Sequence, residues 1–132
     1  MQEITITGLT KRFGDVTAVD RLDLTIHDGE FLTLLGPSGC GKTTTLRCLA
    51  GLEESNEGEI RFGDEVVFSA EEGINVNPGK RGLGLVFQNY ALWPHMTVFR
   101  NVSFGLARRG LGRGEVRERV ENILALLSLD GY

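Results

Sequence analysis

Apolar and polar positions alternate at the start of the chain, in Glu3-Ile4-Thr5-Ile6-Thr7-Gly8-Leu9, and this two-residue period predicts a half-buried strand. A turn signal follows at Gly14-Asp15, inside Lys11 to Val19. Alternation resumes from Arg21 to His27, with Leu22, Leu24 and Ile26 on one face, and Asp28-Gly29 predicts a short hairpin. Phe31 to Leu35 is apolar throughout except Thr33, the pattern of a strand buried on both faces. Beyond it Leu46, Cys48, Leu49 and Ala50 predict an apolar helix face that Gly51 stops. Glu53 to Glu59 reads as an acidic loop, and Glu59 to Phe68 as a second hairpin turning at Gly63-Asp64. Glu71 to Arg81, rich in Gly and Asn and carrying Pro78, is expected to be a surface excursion. Leu83 to Phe87 predicts a short buried strand ending at Gln88. Asn89 to Thr97 is irregular and carries Tyr90, Leu92, Trp93 and Met96. Thr97 is placed to cap a helix from Val98 to about Arg109, which Gly110 and Gly112 end. A last helix is predicted from about Glu115 to Ser128, with Val116, Val120, Ile123, Leu124 and Leu127 on one face.

The chemistry concentrates where the apolar run of Phe31–Leu35 gives way to a helix. Gly36 through Thr43 matches G-x-x-x-x-G-K-[ST], the phosphate-cradling P-loop. At an average glycine usage of about 7%, these four fixed positions arise by chance in well under ~1% of chains this long. Gly36, Gly39 and Gly41 allow positive φ and close backbone approach to phosphate oxygens, so that successive N–H groups point inward at the positive end of a helix. Pro37, Ser38 and Cys40 complete the loop. Lys42 supplies a cation for the β- and γ-phosphates, and the Thr43 hydroxyl can sit on Mg²⁺. Thr44 offers a second hydroxyl at the same helix end. The pattern reads as a nucleotide site.

Length and charge narrow the class further. At 132 residues one domain is the prior, with room for a sizeable core. A net charge of −4 argues against a sequence-independent grip on nucleic-acid backbone, so no nucleic-acid partner is expected. It does not oppose a P-loop ligand, which is held by backbone dipoles and one lysine. Nothing reads as a signal peptide, and no apolar run approaches the ~18 residues of a membrane span, which predicts a cytoplasmic chain. Cys40 and Cys48 lie eight positions apart on or near one helix, roughly 12 Å, too far for a disulfide, and neither has a His or second Cys at metal-ligand spacing.

Taken together, these residues resemble the ATP-binding subunits of ABC transporters over the whole chain. The resemblance implies an α/β fold: an incomplete P-loop NTPase core of the ABC-ATPase type, with an N-terminal antiparallel β subdomain and the start of a helical subdomain. Residues 1–93 would hold the β subdomain with the P-loop and Q-loop core, and 94–132 the start of the helical part. Phe13 stands where that family places an aromatic ring that stacks on adenine, and Ala18 where it has a small residue against the nucleotide. Without that context, Phe13 reads more readily as a hairpin packing residue. Gly84 to Val98 resembles the Q-loop and the segment after it. Gln88 would then reach Mg²⁺ and the attacking water, a task an amide suits because it offers both an acceptor and donors. Lys42 and Gln88 are thus the catalytic candidates, and Thr43 and Gln88 the candidates for Mg²⁺, with ATP as the nucleotide. Gln88 to Met96 would line a groove for a short helix of a transmembrane permease subunit. Trp93 fits either that groove or packing under the last helices, and His95 reads as structural. The resemblance also implies a second nucleotide-binding subunit, a homodimer in the parent protein, and a peripheral place on the inner face of the cell membrane. The form of this loop is most similar to importers of sugars, polyamines, sulfate or ferric iron, and Gly73 to Arg81 leans toward ferric iron or phosphonate.

The family pattern then stops short. A Leu-Ser-Gly-Gly-Gln signature, an acidic Walker B strand and a switch histidine do not occur; Ser128-Leu129-Asp130 reads as a helix end. Without the acids nothing holds Mg²⁺ from its second side. The expectation is an N-terminal fragment of a transport ATPase that binds nucleotide and does not hydrolyse it alone. Its P-loop strand would lack sheet neighbours and leave apolar surface exposed. A non-hydrolysing nucleotide-binding or interaction module is the alternative from another class. A P-loop kinase would share Gly36–Thr43 but not Phe13 or the Gln88 loop.

Overall fold

The computed structural model describes residues 2–129. Two compact units divide the chain, residues 1–85 and 86–132. The first is a five-stranded antiparallel sheet with one helix; the second is a helical pair.

In the first unit, β1 (Ile4–Phe13) and β2 (Val16–Ile26) form the long hairpin that the Gly14-Asp15 turn announces, with Phe13 opposite Val16 and Ile4 opposite Ile26. β3 (Glu57–Phe62) and β4 (Glu65–Ser69) form the second hairpin around Gly63-Asp64, and β3 also pairs with β1. The order across the sheet is β2-β1-β3-β4-β5, where β5 is the short strand Ile74–Asn75. Alternation in β1 breaks after Ile6, because Leu9 and Thr10 are both buried. Register shifts near Leu9, with Gly8 in the left-handed region, let two consecutive side chains turn inward. The helix α1 (Lys42–Leu49) lays Cys48 and Leu49 on Ile6, Leu9, Ile60, Phe62, Val67 and Phe68 to make the core. Its end is a Schellman turn: Gly51 N–H donates to Cys48 O and Leu52 N–H to Arg47 O, with Gly51 at φ +72°.

Several expectations need correction. Phe31–Leu35 forms no ladder with any described strand, and Phe31 is 94% and Leu35 88% exposed. Leu83–Phe87 is likewise unpaired, with Val86 90% exposed. A strand exists only through hydrogen bonds to a neighbour, and parallel neighbours come from crossovers distant in sequence; local apolarity alone cannot supply them. The Asp28-Gly29 turn does form, with Glu30 N–H donating to His27 O, but no paired strand follows it. Residues 71–81 are more than a surface excursion. They hold β5, a 3₁₀ turn at Pro78–Lys80, and Arg81, which is only 5% exposed. Leu46, expected on the apolar face of α1, is 46% exposed, and Thr45 takes a buried position instead.

In the second unit Thr97 caps α2 (Val98–Arg108) by accepting from Arg100 N–H, and Gly110 leaves it at φ +74°. α3 runs over Arg113–Leu126, and Val116, Val120 and Leu124 pack with Phe99, Leu106 and Leu111. Ile123 and Leu127, predicted on that face, remain 45% and 60% exposed. Asp130, part of the expected helix end, lies outside the described residues.

Candidate nucleotide-binding site

The loop 36–41 turns at three positions whose backbone favours glycine. Gly36, Gly39 and Gly41 have φ of +152°, +83° and +90°. A Cβ on Gly41 would collide with the Ala18 carbonyl, and one on Gly36 would lie 2.6 Å from Cys40 Sγ. Gly41 is therefore where the loop passes against β2, which brings Ala18 to the start of α1. Ala18, Val19, Cys40, Gly41, Lys42 and Thr45 share one cleft of about 270 Å³.

Lys42 opens α1, and its ammonium donates to Gly36 O at 2.7 Å and Pro37 O at 2.8 Å, with Cys40 Sγ at 3.3 Å. The lysine thus folds back over the loop it follows. Thr43 is exposed on the first turn and Thr44 is partly buried beside it. Thr45 Oγ1 donates to Gly41 O at 3.0 Å, tying the first turn to the loop. No acidic residue lies in the first turn of α1, while Arg47 lies in the last. Both choices leave the positive helix end open to an anion and neutralise the negative end. A glycine-rich loop, a helix terminus and an ammonium that now holds two loop carbonyls meet at one point, a donor set for a phosphate chain. Pro37 and Ser38 stay exposed on the loop.

Phe13 sits at the tip of the β1–β2 hairpin, 47% exposed, and its partner Val16 is two positions from Ala18 along β2. Gln88 belongs to the second unit, exposed in the turn 88–91, where Tyr90 N–H donates to Phe87 O and Tyr90 and Ala91 have φ of +60° and +46°. Tyr90 and Leu92 are 80% and 70% exposed. Trp93 is 46% exposed and packs its ring 5.7 Å from Phe104 and edge-on to His95 at 6.0 Å.

Three further residues shape these surfaces without belonging to any motif. Asn101 Oδ1 accepts from Trp93 N–H, and its Nδ2 donates to the carbonyls of Trp93, Met96 and Thr97, so one amide holds the irregular stretch on α2. Arg81 donates to Cys48 O, Leu49 O, Val76 O and Asn75 Oδ1 at 2.8–3.0 Å, which closes the far end of α1. Burial pulls its pKa below the ordinary arginine value. Lys11 lies over the Phe13 ring. No sequence signal marks Asn101 or Arg81, since their partners are mostly backbone carbonyls.

Residues 19–132 match the ABC transporter family. The chain is 50% identical to the trehalose/maltose import ATP-binding protein MalK of Thermococcus litoralis over 129 residues, which is 98% of this chain and 35% of that protein. It is 52% identical to the spermidine/putrescine import ATP-binding protein PotA of Rubrobacter xylanophilus, over 98% of this chain and 33% of that protein. The chain therefore spans about a third of the length of these relatives. Among solved structures, a dimeric ATP-binding cassette in a post-hydrolysis state, bound to ADP and Pi, superposes with a TM-score of 0.76 at 26% identity. The match covers 92% of this chain and 56% of that one.

Proposed function

This chain belongs to the ABC transporter family, and on that premise we propose that it is the nucleotide-binding part of an import ATPase, the motor of a solute transporter. The observation that carries the reading is the loop at Gly36–Thr43, where three positive-φ glycines, the open end of α1 and the Lys42 ammonium converge. ATP is the ligand. Its phosphates lie against the amides of residues 36–44, its base stacks on Phe13, and Ala18 leaves room between them. Lys42 neutralises charge on the terminal phosphates, and Thr43 and Gln88 are the side chains that would hold Mg²⁺. When bound, that ion supplies charge neutralisation on the phosphate oxygens during transfer. Gln88 orients water through its amide.

Binding belongs to this stretch, and hydrolysis to the whole protein, of which the relatives indicate this is about a third; among the described residues no strand follows Gln88 to bring an acid to the metal. In the parent, ATP is sandwiched between two subunits, an arrangement supported by the dimeric cassette it resembles. The exposed Tyr90 and Leu92, on a segment that Asn101 holds in place, form the surface for a permease helix. The protein then works at the cytoplasmic face of the membrane as a peripheral subunit; among the described residues no helix is long and apolar enough to cross it.

Equilibrium binding of ATP to the chain tests the first claim. Lys42→Ala is expected to abolish binding and Lys80→Ala to leave it unchanged; equal affinities in the two variants would remove the assignment. Steady-state phosphate release tests the second, where turnover by these 132 residues at the rate of an intact importer ATPase overturns it.

A further inference from the structure

Lys11 is bound on every side its ammonium can donate to. Nζ lies 2.7 Å from Glu53 Oε1, donates to Glu54 O at 2.8 Å, and stands 4.6 Å from the centroid of the Phe13 ring. The side chain is only 11% exposed. Three donors meet three partners, so this is not a surface lysine sampling solvent. The anchor is fixed in turn: Glu53 N–H donates to Arg47 O at the end of α1, Asn56 N–H donates to Thr10 O, and Asn56 Oδ1 accepts from Arg12 N–H. Residues 53–56 are thereby joined to β1 on one side and to the end of the P-loop helix on the other.

A cation over one face of an aromatic ring does two things. It removes that face from use, and it draws electron density from the ring, which lowers repulsion toward an electron-rich base on the other side. We propose that Lys11 is a positioning residue for base recognition, holding the Phe13 ring in place and leaving one face of it for a purine. The inference rests on the reading of Phe13 as the base platform. It adds that the ring is held by a largely buried ammonium, and that through Glu53 this ammonium links the base contact to the helix whose other end binds phosphate.

The test separates base from phosphate by comparing ATP with inorganic tripolyphosphate as ligands of the chain. Lys11→Met is expected to weaken ATP about three- to tenfold, the range of a partly desolvated cation–π contact, and to leave tripolyphosphate affinity unchanged. A long-range charge effect would weaken tripolyphosphate at least as much, and equal losses for the two ligands in a folded variant would overturn the proposal. Lys11→Arg, whose guanidinium also lies flat on a ring, is expected to restore ATP affinity. Circular dichroism establishes that each variant is folded. Should Lys11→Met not fold, Glu53→Ala, which removes the carboxylate that anchors the ammonium, carries the same test with the same signs. Phe13→Ala separates failure of the platform from failure of the lysine. If it leaves ATP affinity intact, the platform reading fails and this inference with it. If it weakens ATP selectively while Lys11→Met does not, the inference about Lys11 alone is wrong.

Discussion

Replacing Arg81 by methionine should unfold the first unit at markedly lower denaturant, although the residue lies outside every sequence motif. Its guanidinium is buried and holds four acceptors: two carbonyls at the end of α1, Val76 O and Asn75 Oδ1. Methionine keeps most of the aliphatic volume, so the loss is polar rather than a cavity. Cys48 O retains the Gly51 N–H, and Asn75 is exposed enough to find water. Leu49 O and Val76 O lose their donor. Two orphaned acceptors cost about 1–2 kcal/mol each, near the low end for such groups because each carbonyl can partly rehydrate. The desolvation that burial imposed on the guanidinium is relieved at the same time, which keeps the net loss near that figure rather than at the full strength of four charged bonds. The expected destabilisation is about 2–4 kcal/mol, or a urea midpoint lower by about 1–2 M at a typical slope of ~2 kcal/mol per M. Urea unfolding followed by circular dichroism measures it. Arg81→Lys should recover only part, because a single ammonium cannot span acceptors set around a planar fork. Lys80→Met, at the exposed neighbouring position, should stay within about 0.5 kcal/mol of the parent. An Arg81→Met midpoint indistinguishable from that of Lys80→Met would refute the clamp.

Gly41→Ala should destroy nucleotide binding and destabilise the fold, because alanine is strained at φ +90° and its Cβ meets the Ala18 carbonyl; normal ATP affinity in this variant would be the contrary result. Asn101→Ala removes four hydrogen bonds from the 93–97 stretch, and Trp93 emission should shift to longer wavelength as the indole leaves Phe104, with a cost of about 1–2 kcal/mol; unchanged emission would count against the Asn101 anchor. His27 has its pKa raised above 6.5, first by its hydrogen bond to Glu3 Oε2 at 2.8 Å and then by that carboxylate's charge. The folded state therefore binds the proton more tightly. Its stabilising effect is complete below the unfolded value of 6.5 and is lost as pH rises through the folded pKa. An NMR titration of the His27 ring should give a midpoint above 6.5 that Glu3→Gln lowers, and no change on that substitution would contradict the pairing.

The sequence by itself determined the features whose causes are local. Gly14-Asp15 and Gly63-Asp64 turn the two hairpins, Thr97 caps α2, Gly51 and Gly110 end helices, and Gly36–Thr43 forms a loop into a helix. Each of these follows from φ preferences or from a side chain reaching its own backbone a few positions away. Family resemblance was legible for the same reason, since its motifs are short and contiguous. Only the tertiary structure decided what depends on distant partners. The apolar runs at 31–35 and 83–87 have the pattern of buried strands, yet burial and pairing need neighbours the runs do not contain; 31–35 stays unpaired and exposed, as its missing neighbours led one to expect, and 83–87 stays unpaired with it. Arg81, in a stretch expected at the surface, and Lys11, which no motif marks, are both enclosed, because carbonyls and carboxylates some thirty to forty positions away, at Cys48, Leu49, Glu53 and Glu54, converge on them. A charged side chain goes inside only when the fold brings its acceptors together, and that is a property of topology rather than of the residue.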